Sequence, residues 1–280
     1  MGLGRYLRER IAAPIVQRID MQSQLLQEMH VRELLRSAPY NAPKRLEPHG
    51  FRSFSQNDED GILQEIFRRI GAETSTFVEF GVQDGMQNNS RVLLYRGWRG
   101  LWIESDAGCC QKMQASFRAE LASGQLQLRN DFVTKGNIAS LIESTGLGEP
   151  DLLSIDIDGN DYWIWEAITC RPRVVVMEYN AKFRPPTQWV MEYNPDHRWD
   201  YTDYHGASLQ SLTNLARDKG YALVGCCLAG VNAFFVRNDL LGQSFAEADV
   251  ASLYNPPRFY MQHFMSSGHP AGAFGAYRTL

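Results

Sequence analysis

Residues 152–161 of this chain have the sequence Leu-Leu-Ser-Ile-Asp-Ile-Asp-Gly-Asn-Asp, in which an apolar run leads directly into closely spaced acids. A short run that is apolar throughout is typical of a strand buried on both faces of a parallel sheet. The acids mark the point where that strand reaches solvent. The stretch therefore predicts an α/β sheet with a ligand site beyond the carboxyl ends of its strands.

Short apolar runs alternate with helix-like runs on both sides of this stretch. The predicted strands are residues 76–80, 100–103, 126–128, 152–155, 174–177, 222–226 and 233–236. Predicted helices lie between most of them, at residues 89–95, 109–122, 137–145, 161–168 and 208–219. Only residues 227–232 join the last two strands, which is too short for a crossover helix. We expect a doubly wound sheet of about seven strands that ends in an antiparallel hairpin.

The order of these patterns predicts three parts: an arm and connector (residues 1–52), the sheet domain (53–245) with a lid-like insertion (181–206), and a tail (246–280). The arm carries apolar residues at helical spacing, with arginines opposite them. We expect the arm and the tail to pack on the domain or on a second subunit, which would make the protein a homo-oligomer. A role for the arm at a membrane surface is the alternative.

Composition excludes several classes of protein. The 280 residues are 44% hydrophobic and carry a net charge of −4, and no apolar stretch is long enough to span a bilayer. A slightly acidic chain without a basic cluster is a poor candidate for binding nucleic acid. The five cysteines show no metal-type spacing, and no secretory segment is visible at the start. These features predict a cytoplasmic protein with reduced thiols.

The end of the first predicted strand carries two acids around a glycine turn. Glu79 precedes Gly81, and Asp84 and Gly85 follow it. A pyrophosphate cradle needs glycine amides at a helix N-terminus that is free of negative charge. Two carboxylates instead favour a ligand with an ammonium and a sulfonium, as in S-adenosylmethionine. We predict that these four residues and the nearby Asn88 bind that cofactor.

The second and third predicted strands also end in polar residues. Glu104 lies 23 residues after Gly81, a spacing at which an acid accepts both hydroxyl protons of a ribose. Asp131 is expected to accept from an adenine amino group, with Phe132 against the ring. The alternative for Asp131 is the cap of a turn.

The fourth and fifth predicted strands bring four oxygen-bearing side chains to one region: Asp156, Asp158, Glu178 and Asn180. Close acids repel unless a proton or a cation lies between them. Hard oxygen ligands favour magnesium or calcium, so Asp156, Glu178 and Asn180 are the predicted ligands of a divalent cation. Two alternatives stay open: one carboxylate acts as general base without a metal, or the acids cap turns and, with Asp156, bind the amino group of the cofactor.

Three segments together resemble the FkbM-like S-adenosylmethionine-dependent methyltransferases. They are residues 55–60 (Ser-Gln-Asn-Asp-Glu-Asp), 78–85 (Val-Glu-Phe-Gly-Val-Gln-Asp-Gly) and 155–161 (Ile-Asp-Ile-Asp-Gly-Asn-Asp). The resemblance implies a class I methyltransferase fold with an antiparallel last strand, and O-methylation of a sugar or a sugar-bearing product.

The strand ends are also similar to those of the cation-dependent catechol and caffeoyl-coenzyme A O-methyltransferases. In those enzymes, an Asp after the fourth strand and an Asp-Asn pair after the fifth hold the ion. Asp156 matches the first position. Glu178 and Asn180 match the pair approximately, since Tyr179 stands between them.

Transfer of a methyl group to a sugar hydroxyl needs either a cation that lowers the hydroxyl pKa or a general base. Asp156, Asp158 and His205 are the predicted catalytic residues. Aromatic residues and interleaved acids in residues 183–204 suit a small-molecule or saccharide substrate, or else they pack on the core. The alternatives for function are an NAD(P)-dependent oxidoreductase and a catalytically silent binding module.

Overall fold

The structure is a computed structural model that describes residues 13–261, so Phe264 and Phe274 of the tail and the first residues of the arm lie outside it. The chain separates into two units, residues 1–42 and 43–280. The described part of the first unit contains helix α1 (Ala13–Arg36), whose start lies next to Pro14. All further elements belong to the second unit.

The second unit is built on one seven-stranded sheet. In chain order its strands are β1 (Thr76–Phe80), β2 (Arg99–Glu104), β3 (Leu126–Asn130), β4 (Leu152–Ile155), β5 (Val174–Glu178), β6 (Tyr221–Cys226) and β7 (Asn232–Arg237). The helices are α2 (Glu59–Ile70), α3 (Arg91–Tyr95), α4 (Ala107–Ser116), α5 (Arg118–Ser123), α6 (Ile138–Glu143), α7 (Asp161–Ala167), α8 (Leu209–Asp218) and α9 (Val250–Leu253).

The spatial order of the strands is β3-β2-β1-β4-β5-β7-β6, and β7 is antiparallel to both of its neighbours. The short link at residues 227–232 produces this hairpin, as the sequence predicts. The doubly wound α/β fold with an antiparallel C-terminal pair is confirmed, and it matches the fold that the resemblance to class I methyltransferases implies.

The strand order reverses between β1 and β4, which places a crevice beyond their carboxyl ends. Gly81 lies at this point with a φ of +71°, in the left-handed region that favours glycine. A Cβ at Gly81 would lie only 1.6 Å from the carbonyl oxygen of Asp156. The ends of β1 and β4 can therefore approach each other only because residue 81 has no side chain.

Acids in the first turn of α2 attach this helix to the sheet. The Asp60 carboxylate accepts hydrogen bonds from the backbone N–H groups of Ser53, Phe54 and Ser55 at 2.6–2.9 Å. The neighbouring Asp58 accepts from the N–H of Leu228, in the turn between β6 and β7. The segment that resembles the FkbM-like proteins thus stabilises the loops on one side of the crevice.

The helix predicted at residues 109–122 is divided at Phe117 into α4 and α5. The Phe117 ring packs edge-on against Trp102 of β2, with the ring centroids 4.8 Å apart. The run predicted as one helix is therefore two helices in the structure, with a buried aromatic residue at the junction.

All five cysteines are free thiols, which agrees with the sequence prediction. In the part of the chain that the structure describes, no helix is both long enough and apolar enough to cross a bilayer.

We predict that Gly81→Ala lowers the free energy of unfolding far more than Gly124→Ala does. Gly124 has a similar φ of +74°, but nothing lies within 4 Å of its Cβ position. Gly124→Ala should cost about 1 kcal/mol, the strain of a left-handed L-residue. Gly81→Ala adds a backbone clash and should cost about 3 kcal/mol or more. Urea unfolding of both variants measures this difference, and equal losses would contradict the close approach of β1 and β4.

Candidate active site

A cavity of about 830 Å³ lies at the carboxyl ends of the parallel strands. Its volume is within the usual range for small-molecule sites. Nine of the residues predicted from the sequence line this cavity: Gly81, Glu104, Asp131, Phe132, Asp156, Asp158, Glu178, Asn180 and His205. Four others, Glu79, Asp84, Gly85 and Asn88, are not among its lining residues. Residues that follow five strand ends thus meet in one space, as expected for this sheet order.

Glu104 is held at the end of β2 by two backbone groups. Its Oε2 accepts from the N–H of Gln83 at 2.7 Å, and its Oε1 accepts from the N–H of Asp106 at 2.8 Å. Oε1 also accepts from the Ser105 hydroxyl at 3.4 Å, whereas Oε2 keeps a further lone pair with which Glu104 can accept from a diol hydroxyl. The bond to Gln83 also ties the glycine turn after β1 to the end of β2.

The end of β3 supplies an exposed acid and an aromatic face. The Asp131 N–H donates to the carbonyl oxygen of Glu104 at 3.1 Å, which places Asp131 beside that residue. The guanidinium carbon of Arg198 lies 5.2 Å from the centre of the Phe132 ring. The predicted adenine-binding residues therefore lie next to the predicted ribose-binding residue. The Arg198 side chain, from residues 181–206, lies over the Phe132 ring.

The Glu79 carboxylate is enclosed by hydrogen-bond donors and is not among the groups that line the cavity. Glu79 is 5% exposed, and its carboxylate accepts from the N–H of Asn89 and from the N–H and hydroxyl of Ser90. Burial raises the pKa of Glu79, and these hydrogen bonds oppose that effect. Its carboxylate stabilises the segment that leads into α3.

Asp84, Gly85 and Asn88 are the other three predicted residues that do not line the cavity. The Asp84 carboxylate accepts from the N–H of Met86 at 3.1 Å. A Cβ at Gly85 would lie 2.8 Å from the Phe117 ring, so this glycine is a packing requirement. Asn88 is 2% exposed. Glu79 and Asp84, the two carboxylates that favour S-adenosylmethionine in the sequence, are therefore not lining residues of the cavity.

Three other carboxylates do converge there. One oxygen each from Asp156, Asp158 and Glu178 lies within 4.8 Å of the other two. Burial raises the pKa of Asp156 and of Glu178 well above the ordinary values, and the neighbouring acids raise both further. Burial and the Asp161 carboxylate raise the pKa of Asp158 to about 6. An arrangement in which all three are ionised therefore needs a compensating cation.

Asp161, the third acid after β4, is a turn-closing residue. Its two oxygens accept from the N–H groups of Ile157 and Gly159 at 2.8 and 2.9 Å, and it is 1% exposed. These bonds close the loop that carries Asp156 and Asp158. Of the acids clustered in this stretch of sequence, one therefore builds the loop and two face the cavity.

His205 and Glu178 face each other across the same region. The distance from His205 Nδ1 to Glu178 Oε2 is 3.8 Å. Neither atom has a hydrogen-bond partner among the residues that the structure describes, and both are buried. Burial lowers the pKa of His205, which favours the neutral imidazole. The Asn180 side chain instead donates to the carbonyl oxygens of Asp203 and His205 at 2.9 and 3.1 Å.

His197 also lines the cavity, although it is not among the catalytic residues predicted from the sequence. Its Nε2 lies 3.2 Å from the carbonyl oxygen of Asp158, and its ring covers Gly159, where a Cβ would be 2.3 Å away. The Asn160 side chain bonds to the backbone of Asn194 in both directions, at 2.7 and 3.2 Å. Glycine and asparagine after the strand are the signal that could have predicted this docking of residues 181–206.

The aromatic residues of residues 181–206 divide between the two alternatives left open by the sequence. Phe183 and Trp189 stack on each other with ring centroids 4.4 Å apart. Trp199 and Tyr201 line the cavity and are 40% and 84% exposed. One aromatic pair of the insertion is therefore packed ring on ring, and the other is exposed at the cavity.

Several lining residues are not among the site residues predicted from the sequence: Gln56, Gln83, Ser105, Lys182, Gly230, Val231, Pro257 and Phe259. They come from turns and from the tail, which extend the cavity beyond the strand ends. The tail is attached there because the Arg258 N–H donates to the carbonyl oxygen of Ala229 at 2.8 Å. Their position depends on tertiary contacts between distant segments.

The residues present fit both groups that the sequence predicts. Gly81, Glu104, Asp131 and Phe132 offer a close backbone approach, a diol acceptor, an amine acceptor and a ring face to S-adenosylmethionine. The orphaned Glu178 Oε2 and the converging oxygens of Asp156 and Asp158 suit a divalent cation.

The sequence matches no known family model and no curated protein sequence. Three of the solved structures with similar folds illustrate the level of likeness. A putative caffeoyl-CoA O-methyltransferase from Staphylococcus aureus has a TM-score of 0.44 and 12% identity, over 78% of this chain and 99% of that chain. The N-terminal domain of EvdMO1 with SAH bound has a TM-score of 0.40 and 14% identity, over 73% of this chain and 94% of that chain.

The pyocyanin biosynthetic protein PhzM has a TM-score of 0.39 and 15% identity, over 62% of this chain. The match spans 53% of the PhzM chain, about half of its length.

Proposed function

We propose that this protein is an FkbM-like, S-adenosylmethionine-dependent O-methyltransferase that acts on a hydroxyl of a sugar or glycoconjugate with the help of a divalent cation. The observation that carries the proposal is the meeting, in one cavity, of Glu104 at the end of β2 with the carboxylates of Asp156, Asp158 and Glu178. The first suits a ribose diol. The other three suit a cationic ligand, and they oppose a pyrophosphate in the same place.

The cofactor half of the cavity is proposed to consist of Gly81, Glu104, Asp131 and Phe132. Bound S-adenosylmethionine supplies an electrophilic methyl group on a positively charged sulfur. Glu104 would accept the ribose hydroxyls, and Asp131 would accept the adenine amino group, with Phe132 against the ring. Asp156 lies where the β4 end approaches Gly81, so its charge would stabilise the positive end of the cofactor.

The acceptor half is proposed to include Trp199, Tyr201 and the carboxylates at the ends of β4 and β5. A cation held by Asp156, Asp158 and Glu178 would lower the pKa of a sugar hydroxyl and orient it. Trp199 and Tyr201 would stack on the C–H face of the ring and exclude water. Without a cation, Asp158 is the proposed general base, because a pKa of about 6 allows proton transfer near neutral pH.

We predict that Glu104→Ala weakens binding of S-adenosylhomocysteine by about 10- to 100-fold, because a buried carboxylate that accepts hydroxyl protons is worth about 1–3 kcal/mol. Asp84→Ala is the matched control, since its carboxylate lies outside the cavity, and it should change the Kd by less than about threefold. Calorimetric titration measures both. Binding of NADH and not of S-adenosylhomocysteine would favour the oxidoreductase alternative, and unchanged affinity in Glu104→Ala would remove the assignment of Glu104.

We also predict a requirement for both a saccharide and a cation. Formation of S-adenosylhomocysteine should appear with free, nucleotide-linked or polymeric saccharides, and not with catechols or proteins as acceptors. On the best acceptor, a chelator and Asp156→Asn should each lower kcat by about 100-fold or more, because the hydroxyl then keeps its high pKa. Full turnover in chelator would contradict a role for the cation, and Asp158 would then be the proposed general base.

The aromatic residues of the acceptor half give a further prediction. Trp199→Ala should raise the acceptor KM by about 5- to 10-fold, equivalent to about 1 kcal/mol of lost stacking, with little change in the affinity for S-adenosylhomocysteine. Tyr260→Ala is the control, because Tyr260 is 55% exposed and is not a lining residue. Equal effects of the two variants would contradict a role of Trp199 in acceptor binding.

A further inference from the structure

The carboxylate of S-adenosylmethionine needs a hydrogen-bond donor in a cavity that is rich in acids. The cofactor carries this carboxylate beside its ammonium and sulfonium groups, whereas Asp156, Asp158 and Glu178 bring further negative charge to the cavity. Like charges at close range repel. An uncharged or positive donor is therefore required at the methionine end of the cofactor.

The proposed positions of the adenine and the ribose indicate where that end lies. The adenine and the sulfur are attached to opposite sides of the ribose, at C1′ and C5′. With the adenine at Phe132 of the β3 end and the ribose at Glu104 of the β2 end, we expect the methionine part to extend past Gly81 toward the ends of β4 and β5. The donor for its carboxylate is expected on that side of the cavity.

Gln56 belongs to a segment that is attached on the same side. Glu59, three residues later, accepts from Asn232 Nδ2 at 2.9 Å and from the backbone N–H of Asn57 at 2.7 Å. In the sheet, Asn232 lies opposite Glu178 at the end of β5. The segment that carries Gln56 thus adjoins the strand end that brings Glu178 to the cavity.

The two neighbours of Gln56 are used by the fold, whereas Gln56 itself is not. Ser55 is 0% exposed, and its hydroxyl donates to the carbonyl oxygen of Asn57 at 3.3 Å. Asn57 is 3% exposed, and its Nδ2 donates to Glu59 at 3.1 Å. Gln56 is half-buried and lines the cavity, and its side chain has no hydrogen-bond partner among residues 13–261. Its amide is therefore available to a ligand.

We propose that the amide nitrogen of Gln56 donates to the carboxylate of S-adenosylmethionine and makes the site selective for that group, an assignment that rests on the proposed function. A hydrogen bond to a charged acceptor is stronger than one between neutral groups. A neutral amide also suits this place, because it can donate to the carboxylate without forming an ion pair with the nearby acids.

Most of the other side-chain N–H donors that line the cavity are less suited to this role. Five of them already contact another group of the protein: Asn160, Asn180, Lys182, His197 and Trp199. His205 Nδ1 faces the Glu178 carboxylate at 3.8 Å, where a second carboxylate would be repelled.

Gln83 provides the matched control. It also lines the cavity, and its side chain has no partner in the part of the chain that the structure describes. Its backbone N–H, however, donates to Glu104 Oε2 at 2.7 Å, which places Gln83 at the ribose end. Gln83→Ala keeps this backbone bond and should not affect recognition of the carboxylate.

The test is calorimetric titration of the full chain with S-adenosylmethionine and with decarboxylated S-adenosylmethionine, which lacks only the carboxylate. Gln56→Ala should weaken binding of S-adenosylmethionine by about 10- to 100-fold, the loss of a hydrogen bond to a charged group. It should change binding of the decarboxylated ligand by less than about threefold, which also shows that the variant is folded. Gln83→Ala should change the two affinities to the same extent.

Gln56→Glu distinguishes a contact with the carboxylate from a contact with the ammonium group. A further carboxylate at position 56 should weaken binding of S-adenosylmethionine at least as much as Gln56→Ala does, because it repels the carboxylate of the ligand. Tighter binding would indicate a contact with the ammonium group and would overturn the proposal. Unchanged affinities or equal losses for the two ligands in Gln56→Ala would overturn it too, as would a selective loss in Lys182→Ala alone.

The wild-type titrations separate this inference from the proposed function. Wild type that binds neither ligand would contradict the assignment of the cofactor itself. Wild type that binds both ligands, with no selective loss in Gln56→Ala, would contradict only the role of Gln56.

Discussion

The repulsion among three carboxylates in a buried space is the constraint on which the rest of this site depends. Asp156, Asp158 and Glu178 come from neighbouring strand ends, and their oxygens lie within 4.8 Å of one another. Burial alone raises the pKa of each, and proximity raises it further. The hydrogen bonds between β4 and β5 and the loop closed by Asp161 hold these groups together. Their negative charge is then either neutralised by bound protons or compensated by a cation.

Buried carboxylates in this protein are of two kinds, and hydrogen bonding distinguishes them. Asp60, Glu79 and Asp161 each accept bonds from backbone N–H groups, so they stabilise turns and helix starts. Glu178 is also buried at one oxygen, but that oxygen has no partner among residues 13–261. Asp60 Oδ1 also lacks a partner among these residues, but Asp60 Oδ2 accepts three backbone N–H bonds, which makes Asp60 part of the scaffold. Glu178 instead lines the cavity and is available to a ligand.

Residues 181–206 complete the cavity, because the strands alone leave it open on one side. Asn160 attaches this insertion to the end of β4 through Asn194, and Asn180 attaches it to the end of β5. These contacts bring His205 beside Glu178 and Trp199 to the edge of the cavity. The position of the groups proposed to bind the acceptor therefore depends in part on these asparagine hydrogen bonds, together with the bond from Trp163 Nε1 to the carbonyl oxygen of Met191.

The sequence by itself determined the strands of the sheet, the antiparallel pair at its end and the strand ends at which polar groups collect. Strands buried on both faces appear as apolar runs, and a link too short for a helix requires an antiparallel neighbour, so both features leave a pattern along the chain. The sequence did not distinguish Glu79, a structural residue, from Glu104, which lines the cavity, since both simply follow an apolar run. That difference depends on N–H groups that other segments supply, such as those of Ser90 and Gln83. Only the tertiary structure decided it, and only the tertiary structure brought His205 to Glu178, because contacts between distant residues leave no periodic signal along a chain.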